Sequence, residues 1–408
     1  RKPELGKGRA TTNCCLYAIS LVPGIIIMDQ KHLHIVSFDV PYPANYGGVI
    51  DIYYKIKALH AQGIRVHLHC FEYGRAEALT LESVCEKVYY YKRKMNKQQL
   101  LLSLPFVVVS RSSEKLVENL MRDKHSILFE GLHSCFHLDD PRLSNRTKIV
   151  RTHNIEHDYY KNLAKVERSV FRKMYFSIEG RKLKRFEKIL HKANFIATIS
   201  SADAKTLSAH YKNVHHISAF HANEQVKIKE GRGTFCLYHG NLEVGENNEA
   251  ALFLVNEIFS KIKIPLVIAG RKPSAELKLA VEKHNHILLK ANINTPEIDE
   301  LISNAQINVL PTFQATGIKL KLLAALFNGR HCIVNPPMVA NTGLEDLCSI
   351  QNSAESMASE VVRLFELPFD MNENEKRTTV LNESFSNATN VKKLMQLMIS
   401  LEKKNLRK

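Results

Sequence analysis

Short apolar runs recur along most of the chain, and stretches whose apolar positions repeat near the helical period separate them. The runs at 34–38, 66–71, 87–91, 126–130, 148–152 and 195–200 predict strands in the first half. Those at 235–239, 265–270, 307–310 and 331–335 predict strands in the second half. The run at 307–310 halts at Pro311, as a buried strand of a parallel sheet would. Strand followed by amphipathic helix, many times over, predicts an α/β architecture. A chain of 408 residues can build two full cores. The predicted order is a leader at 1–27, read as disordered or non-native with Met28 opening the folded part, then a first Rossmann-like domain at 28–215. A polar linker at 216–232, a second Rossmann-like domain at 233–385 and a terminal helix at 386–408 complete it. No G-x-G-x-x-G follows a predicted strand, which disfavours a dinucleotide dehydrogenase.

Composition narrows the class. With 45% hydrophobic and 24% charged residues the chain is globular, and no low-complexity tract or short repeat interrupts it. The net charge of +16 points to an anionic partner: a sugar nucleotide, an acidic membrane surface or nucleic acid. Much of that charge lies in a long predicted helical region at 159–193, with Val170, Phe171, Tyr175, Ile178, Leu183, Phe186 and Leu190 as its expected buried face. A basic amphipathic surface suits contact with anionic lipid headgroups, and a solvated charged face has the same pattern. No nucleic-acid motif accompanies the charge, so nucleic acid is not expected as a partner. Eight cysteines without a C-x-x-C pair read as reduced thiols of a cytoplasmic protein, peripheral on the membrane if the basic helix binds lipid.

The candidate chemistry clusters where strands end. Gly47 and Gly48 open the first helix, and glycine at a strand-to-helix turn lets amides approach an anion. His153 and Asn154 follow the strand at 148–152, where ligands bind parallel sheets. His153 and His157 have metal-ligand spacing, but the HExxH arrangement and a third ligand are missing, so no metal is expected. Gly317 is expected to open a helix after the strand at 307–310, with Lys319 and Lys321 in its first turn. Cations there oppose the helix dipole unless a phosphate sits nearby. An ordinary strand–helix–strand unit with solvated lysines has the same sequence.

Several segments, in order, resemble a known family: RTHNIEHDYYKNLA at 151–164, IATISSADAKTL at 196–207, HGNLEVGENNEAALFL at 239–254 and ATGIKLKLLAALFNGR at 315–330. Over roughly residues 33–400 the chain resembles GT-B glycosyltransferases, above all the retaining family four and its bacterial cell-surface polysaccharide members. The resemblance implies two Rossmann-like domains whose parallel sheets face a central cleft, with the terminal helix at 386–408 crossing back to the first domain. It implies a hexosyltransferase-type enzyme moving a sugar from a nucleotide-diphosphate donor to a saccharide or lipid-linked acceptor with retention. The donor is a substrate, and no cofactor or metal is implied. His153 becomes the catalytic candidate, and Gly47, Gly48 and Asn154 line the acceptor side. Gly240, Asn241, Arg271, Lys272, Thr316, Gly317, Ile318, Lys319 and Ala324 fall at donor-binding positions. Thr316 and Ala324 stand where family members often have two glutamates, and Asn241 and Glu246 where many have arginine and lysine. These departures raise an alternative, a GT-B scaffold with impaired catalysis that serves as a binding partner in the same pathway. A sugar-nucleotide epimerase on this scaffold is a more distant alternative.

Overall fold

The structure is a computed structural model that describes residues 31–167, 169–313 and 319–405. The expected leader at 1–27 therefore lies outside the described residues, as do Thr316, Gly317 and Ile318. Two wholly parallel sheets organise the fold. The first contains β1 (His32–Ser37), β2 (Arg65–Glu72), β3 (Lys87–Lys92), β4 (Ser126–Glu130), β5 (Lys148–Thr152), β6 (Phe195–Thr198) and β7 (Val214–His216) in the order β3-β2-β1-β4-β5-β6-β7. The second contains β8 (Cys236–Asn241), β9 (Leu266–Arg271), β10 (Ile287–Ala291), β11 (Ile307–Leu310), β12 (His331–Val334) and β13 (Ser349–Ile350) in the order β10-β9-β8-β11-β12-β13. The two-sheet α/β architecture expected from the apolar runs is the one observed. The edge strands β7, β10 and β13 are missing from the expected runs: β7 is short and mostly polar, β10 is mostly exposed or half-buried, and β13 has two residues.

Helices cover both faces, which is why the central strands are buried on both sides, polar positions such as His34, His69 and Asn308 included. Three helices matter for the first sheet: α1 (Gly47–Ala61), α2 (Glu156–Val166) and α3 (Val170–Phe186). In the second, α4 (Gly245–Phe253) follows β8 and α5 (Leu320–Asn328) follows β11. The terminal helix α6 (Asn387–Asn405) sets Val391, Leu394, Met395 and Met398 into the core formed by Leu33, Ile52 and Ile56 of the first sheet. Ile217 and Phe220, from the segment between the sheets, are buried in that same core.

The long basic helix departs from expectation in two ways. It breaks at Glu167 and Ser169, whose backbones are extended, and the Glu167 carboxylate accepts the Ser169 N–H at 3.0 Å. Its expected buried face is also turned. Leu183 and Leu190 are buried, while Tyr175 and Phe186 are half-buried, but Val170, Phe171 and Ile178 are exposed. The cause is Gly180, where a Cβ would already lie 3.4 Å from Tyr160 Cβ and 3.5 Å from the His157 carbonyl oxygen. α3 approaches α2 most closely along the face of Phe176, Gly180 and Leu183, so the opposite side looks outward.

A second close approach holds the middle of the second sheet. At Gly270 on β9, a Cβ would fall 2.0 Å from the Gly240 carbonyl oxygen on β8 and 2.8 Å from Leu242 Cγ. A backbone oxygen in a paired strand cannot move aside. Gly270→Ala is expected to destabilise the second domain by about 3 kcal/mol, at the upper end for overpacking, as read by urea unfolding.

Candidate functional site

In a parallel sheet the ligand crevice lies beyond the carboxyl ends of the strands, where the strand order reverses. Here the reversals fall between β1 and β4 and between β8 and β11. The loops leaving these four strands, together with β5, build a cleft with residues of both sheets. One cavity, of about 490 Å³, is lined by His153, Asn154 and Ser200 from the first domain and by Lys319, Leu323 and Asn341 from the second. A larger one, of about 1100 Å³, shares His153 and Asn154 and adds Gly47, Gly48, Glu156 and Glu246. Across the domains, Ser201 Oγ donates to the Asn341 carbonyl oxygen at 3.1 Å.

Beneath the first-domain wall lies a buried charge network that sequence reading missed. Asp51 and Lys55, one turn apart on α1, Glu130 at the end of β4 and Arg151 on β5 are all buried. Lys55 Nζ donates to Asp51 Oδ2 at 2.9 Å and to Glu130 Oε1 at 2.5 Å. Arg151 grips both Asp51 oxygens at 2.8 Å and donates to the carbonyls of Ile217 and Ser218 at 2.9 Å. Burial pushes both carboxyls up, yet the facing cations, Arg151 and Lys55 at Asp51 and Lys55 at Glu130, hold each below its usual range. Asp51, Glu130 and His153 lie close enough to hold a metal ion. Lys55 and Arg151 already take those carboxylates, however, and a further cation would have to displace them.

The network sets the orientation of His153. Its Nε2 lies 2.9 Å from Glu130 Oε2. A carboxylate only accepts, so Nε2 carries the proton, and in the neutral ring Nδ1 is left as an acceptor. Nδ1 is buried and has no hydrogen-bond partner among the described residues, as is true of Thr152 Oγ1 and His133 Nδ1 nearby. A Cβ on Gly48 would stand 3.5 Å from Nδ1 and 2.6 Å from Phe38 Cζ, so glycine keeps this part of the wall open. Glu156, fully enclosed beside His133 at 3.6 Å, has a carboxyl pushed up to about 8 by burial and by Asp203. At neutral pH it is a hydrogen-bond donor, not a base.

The second-domain wall is built on charge. Thr312, just after β11, donates through its hydroxyl to Glu246 at the start of α4. Lys321 Nζ lies 2.9 Å from Asn247 Oδ1 and 5.2 Å from the Tyr238 ring centroid. Burial drags its ammonium down to about 8 against the pull of Glu246, and burial lowers Lys319 as well. α5 begins at Leu320 with Lys319 as its N-cap, later than the expected start at Gly317.

Of the residues singled out from the sequence, the structure brings together His153, Asn154, Gly47, Gly48 and Lys319 on the cavity walls. Gly240, Asn241, Arg271 and Lys272 end the neighbouring strands β8 and β9 but line neither cavity. Gly240 is backed by the Asn247 side chain, Asn241 and Arg271 are exposed, and Lys272 pairs with Glu243 at 2.8 Å. Ala324 turns away from the cleft and packs against the apolar cluster of Leu237, Val267, Ala269 and Ile302.

No protein-family model matches the chain. Over 313 residues it is 29% identical to an uncharacterized 44.6 kDa protein in the cps region of Klebsiella pneumoniae, covering 72% of this chain and 80% of that one. Among solved structures, TarM of S. aureus, in complex with fondaparinux, alpha-GlcNAc-glycerol and UDP, matches with a TM-score of 0.61 at 12% identity, over 90% of this chain and 99% of that one. HepE of Anabaena, in complex with UDP and glucose, matches with a TM-score of 0.62 at 10% identity, over 90% and 99%. This is the GT-B fold. WaaG, a glycosyltransferase involved in lipopolysaccharide biosynthesis, shares it with a TM-score of 0.57 at 11% identity, over 88% and 98%. The two sheets of the GT-B architecture and the cleft at their switch points are thus the arrangement that the ordered motifs implied.

Asp51, Lys55, Glu130 and Arg151 carried one signal that could have exposed them. Asp51 and Lys55 interrupt the apolar face of α1, and Arg151 is a cation inside a fully buried central strand, beside Ile149 and Val150. Removing one member of such a network leaves a buried charge unpaired. Lys55→Met is expected to cost about 3–5 kcal/mol of stability. Lys55→Met/Glu130→Gln should recover part of that loss in the same denaturation measurement, because it removes one carboxylate as well.

Proposed function

We propose that the protein is a retaining glycosyltransferase that moves a hexose from a nucleotide-diphosphate donor to a saccharide or lipid-linked acceptor in cell-surface polysaccharide synthesis. The observation that carries this reading is the two-sided cleft. One wall presents the unpartnered acceptor His153 Nδ1, and the other presents Lys319 with Lys321 behind it. The cps-region relative supports the pathway, and the UDP complexes of the structural neighbours support the donor class.

In this reading the bond between the sugar's anomeric carbon and the diphosphate oxygen breaks, and the oxygen keeps the electron pair. The growing negative charge faces Lys319 and Lys321, held in a partly dry site where electrostatic stabilisation is strong. His153 Nδ1 accepts a hydrogen bond from a hydroxyl of the transferred sugar, and Asn154 adds amide contacts beside it. The acceptor hydroxyl enters from the side of Gly47 and Gly48 and forms the new bond on the face from which the diphosphate leaves, and its proton passes to the departing diphosphate oxygen. A GT-B scaffold without catalysis is the second reading, and Ala324 favours it, since its side chain serves an apolar cluster where relatives of the resembled family use a glutamate.

A thermal-shift series with UDP, GDP, ADP, CMP and their common sugar conjugates tests the donor site. A ligand at 100 times its Kd stabilises the folded state by about 2.7 kcal/mol, so one nucleotide is expected to raise the melting temperature by a few degrees. A flat response from well-folded protein would sink the transferase reading and leave the scaffold.

The pH dependence has a definite sign. Lys321 is cationic below about 8 and loses its proton above it. Nucleotide affinity is therefore expected to fall between pH 7 and pH 9, by up to about tenfold per pH unit above the pKa. Lys321→Met should flatten that profile in titration calorimetry. Stability without ligand should run the other way: above about 8 the unfolded lysine keeps a proton that the folded one has lost, so unfolding becomes harder.

A further inference from the structure

The face of α3 that looks away from the core is apolar where a solvated helix would be polar. Val170 is 78% exposed and Phe171 81%, and Met174 and Ile178 are exposed beside them. At 100° per residue the four side chains fall within an arc of about 100°. Arg181, Lys182 and Arg185 continue the same stripe toward the end of the helix.

A second apolar element stands against that end. Lys182 Nζ donates to the Leu100 carbonyl oxygen at 2.7 Å, and the Phe106 N–H donates to Glu179 Oε2 at 2.6 Å. These bonds fix the segment 95–104 alongside α3. Leu101 is 89% exposed, and Met95, Leu100, Leu102 and Leu104 are exposed around it. Both elements thus hold large apolar side chains in water, grouped more densely along the chain than the scattered exposed residues of an ordinary monomer.

Charge decides what covers it. The segment 92–104 carries Lys92, Arg93, Lys94 and Lys97 and no acid, and the single acid of α3, Glu179, is buried under Lys182 and the Phe106 amide. A second copy docking face to face would bring cations against cations, which a self-complementary interface does not tolerate. A bilayer with anionic headgroups satisfies both properties: it takes up the leucine and phenylalanine side chains and pairs with the flanking cations.

We propose that this surface, formed by the exposed face of Val170–Phe186 and the segment 95–104, docks on the headgroup region of an anionic lipid bilayer. The apolar side chains enter the interface and the cations lie on lipid phosphates. Arg172 and Phe176, on the opposite side of the same helix, line the larger cavity, so docking sets the cleft one helix diameter, ~10 Å, from the headgroups. The saccharide of a lipid-linked acceptor could then extend into the cleft from the bilayer, a consequence that rests on the glycosyltransferase reading; the docking itself does not.

The test is flotation of the full chain with vesicles of 30 mol% phosphatidylglycerol in phosphatidylcholine, against phosphatidylcholine alone. Binding is expected only to the anionic vesicles and should weaken as salt is added. Leu101→Glu/Phe171→Glu should bind about tenfold more weakly, with melting temperature and nucleotide response unchanged, since both side chains are already in water. The chain contains no tryptophan, so Phe171→Trp places a single fluorophore on the face. Its emission should shift to the blue with anionic vesicles even if the double variant fails to fold. Absent flotation, flotation unaffected by the double substitution, or indole emission from Phe171→Trp that stays at the aqueous wavelength would each overturn the proposal. So would a dimer, seen by light scattering, that the double substitution dissolves without any vesicle binding by the parent chain.

Discussion

Four charges sealed from water hold the first half of this protein in place. Asp51 and Lys55 come from a helix, Glu130 and Arg151 from two adjacent strands, and each is buried. Isolated in a protein interior any one of them would cost several kcal/mol. Two acids against two bases leave no net charge, and most of their donors and acceptors find partners in one another. Arg151 sends its remaining donors to the carbonyls of Ile217 and Ser218, and Asp51 accepts the Phe220 N–H at 2.8 Å. The segment that leaves the first sheet for the second is thus tied to the same network that fixes His153 through Glu130. The orientation of a cleft residue and the departure angle of the interdomain chain depend on one set of bonds.

The opposite wall works on a different balance. Glu246, Lys319 and Lys321 are partly or wholly withdrawn from solvent, and burial lowers both ammonium groups, Lys321 to about 8. Ammonium groups kept under such strain gain most from an arriving anion. The first wall therefore suits hydroxyl recognition and the second suits phosphate. The division follows from the fold, because each wall is the switch point of its own sheet.

Much of this was legible without coordinates. Short apolar runs that alternate with amphipathic helices point to strands covered by helices, and so to parallel sheets. The cluster at His153–Asn154 and the Gly47–Gly48 pair stood out because polar or flexible residues at strand ends have little structural purpose there. Lys319 was visible as a cation at the wrong end of a helix. Arg271 and Lys272 followed the same logic, yet they lie at the end of β9, and Lys272 has its own partner in Glu243. Position relative to a strand end can be read from a sequence, but the direction of a side chain cannot.

What the sequence determined by itself was the architecture, because hydrophobic periodicity is a local property that each segment carries alone. Only the tertiary structure decided which polar residues are buried and which apolar ones are exposed. The network of Asp51 and Lys55 escaped sequence reading because their neutralising partners, Glu130 and Arg151, lie many residues away. Val170, Phe171 and Ile178 read as buried because their spacing fits a helical face, until the close approach at Gly180 turned that face outward. Ala324 reads as a lost donor contact in the sequence and is a packed core contact in the fold. Burial is set by what the rest of the chain brings alongside a segment, and that is settled only when the segments pack.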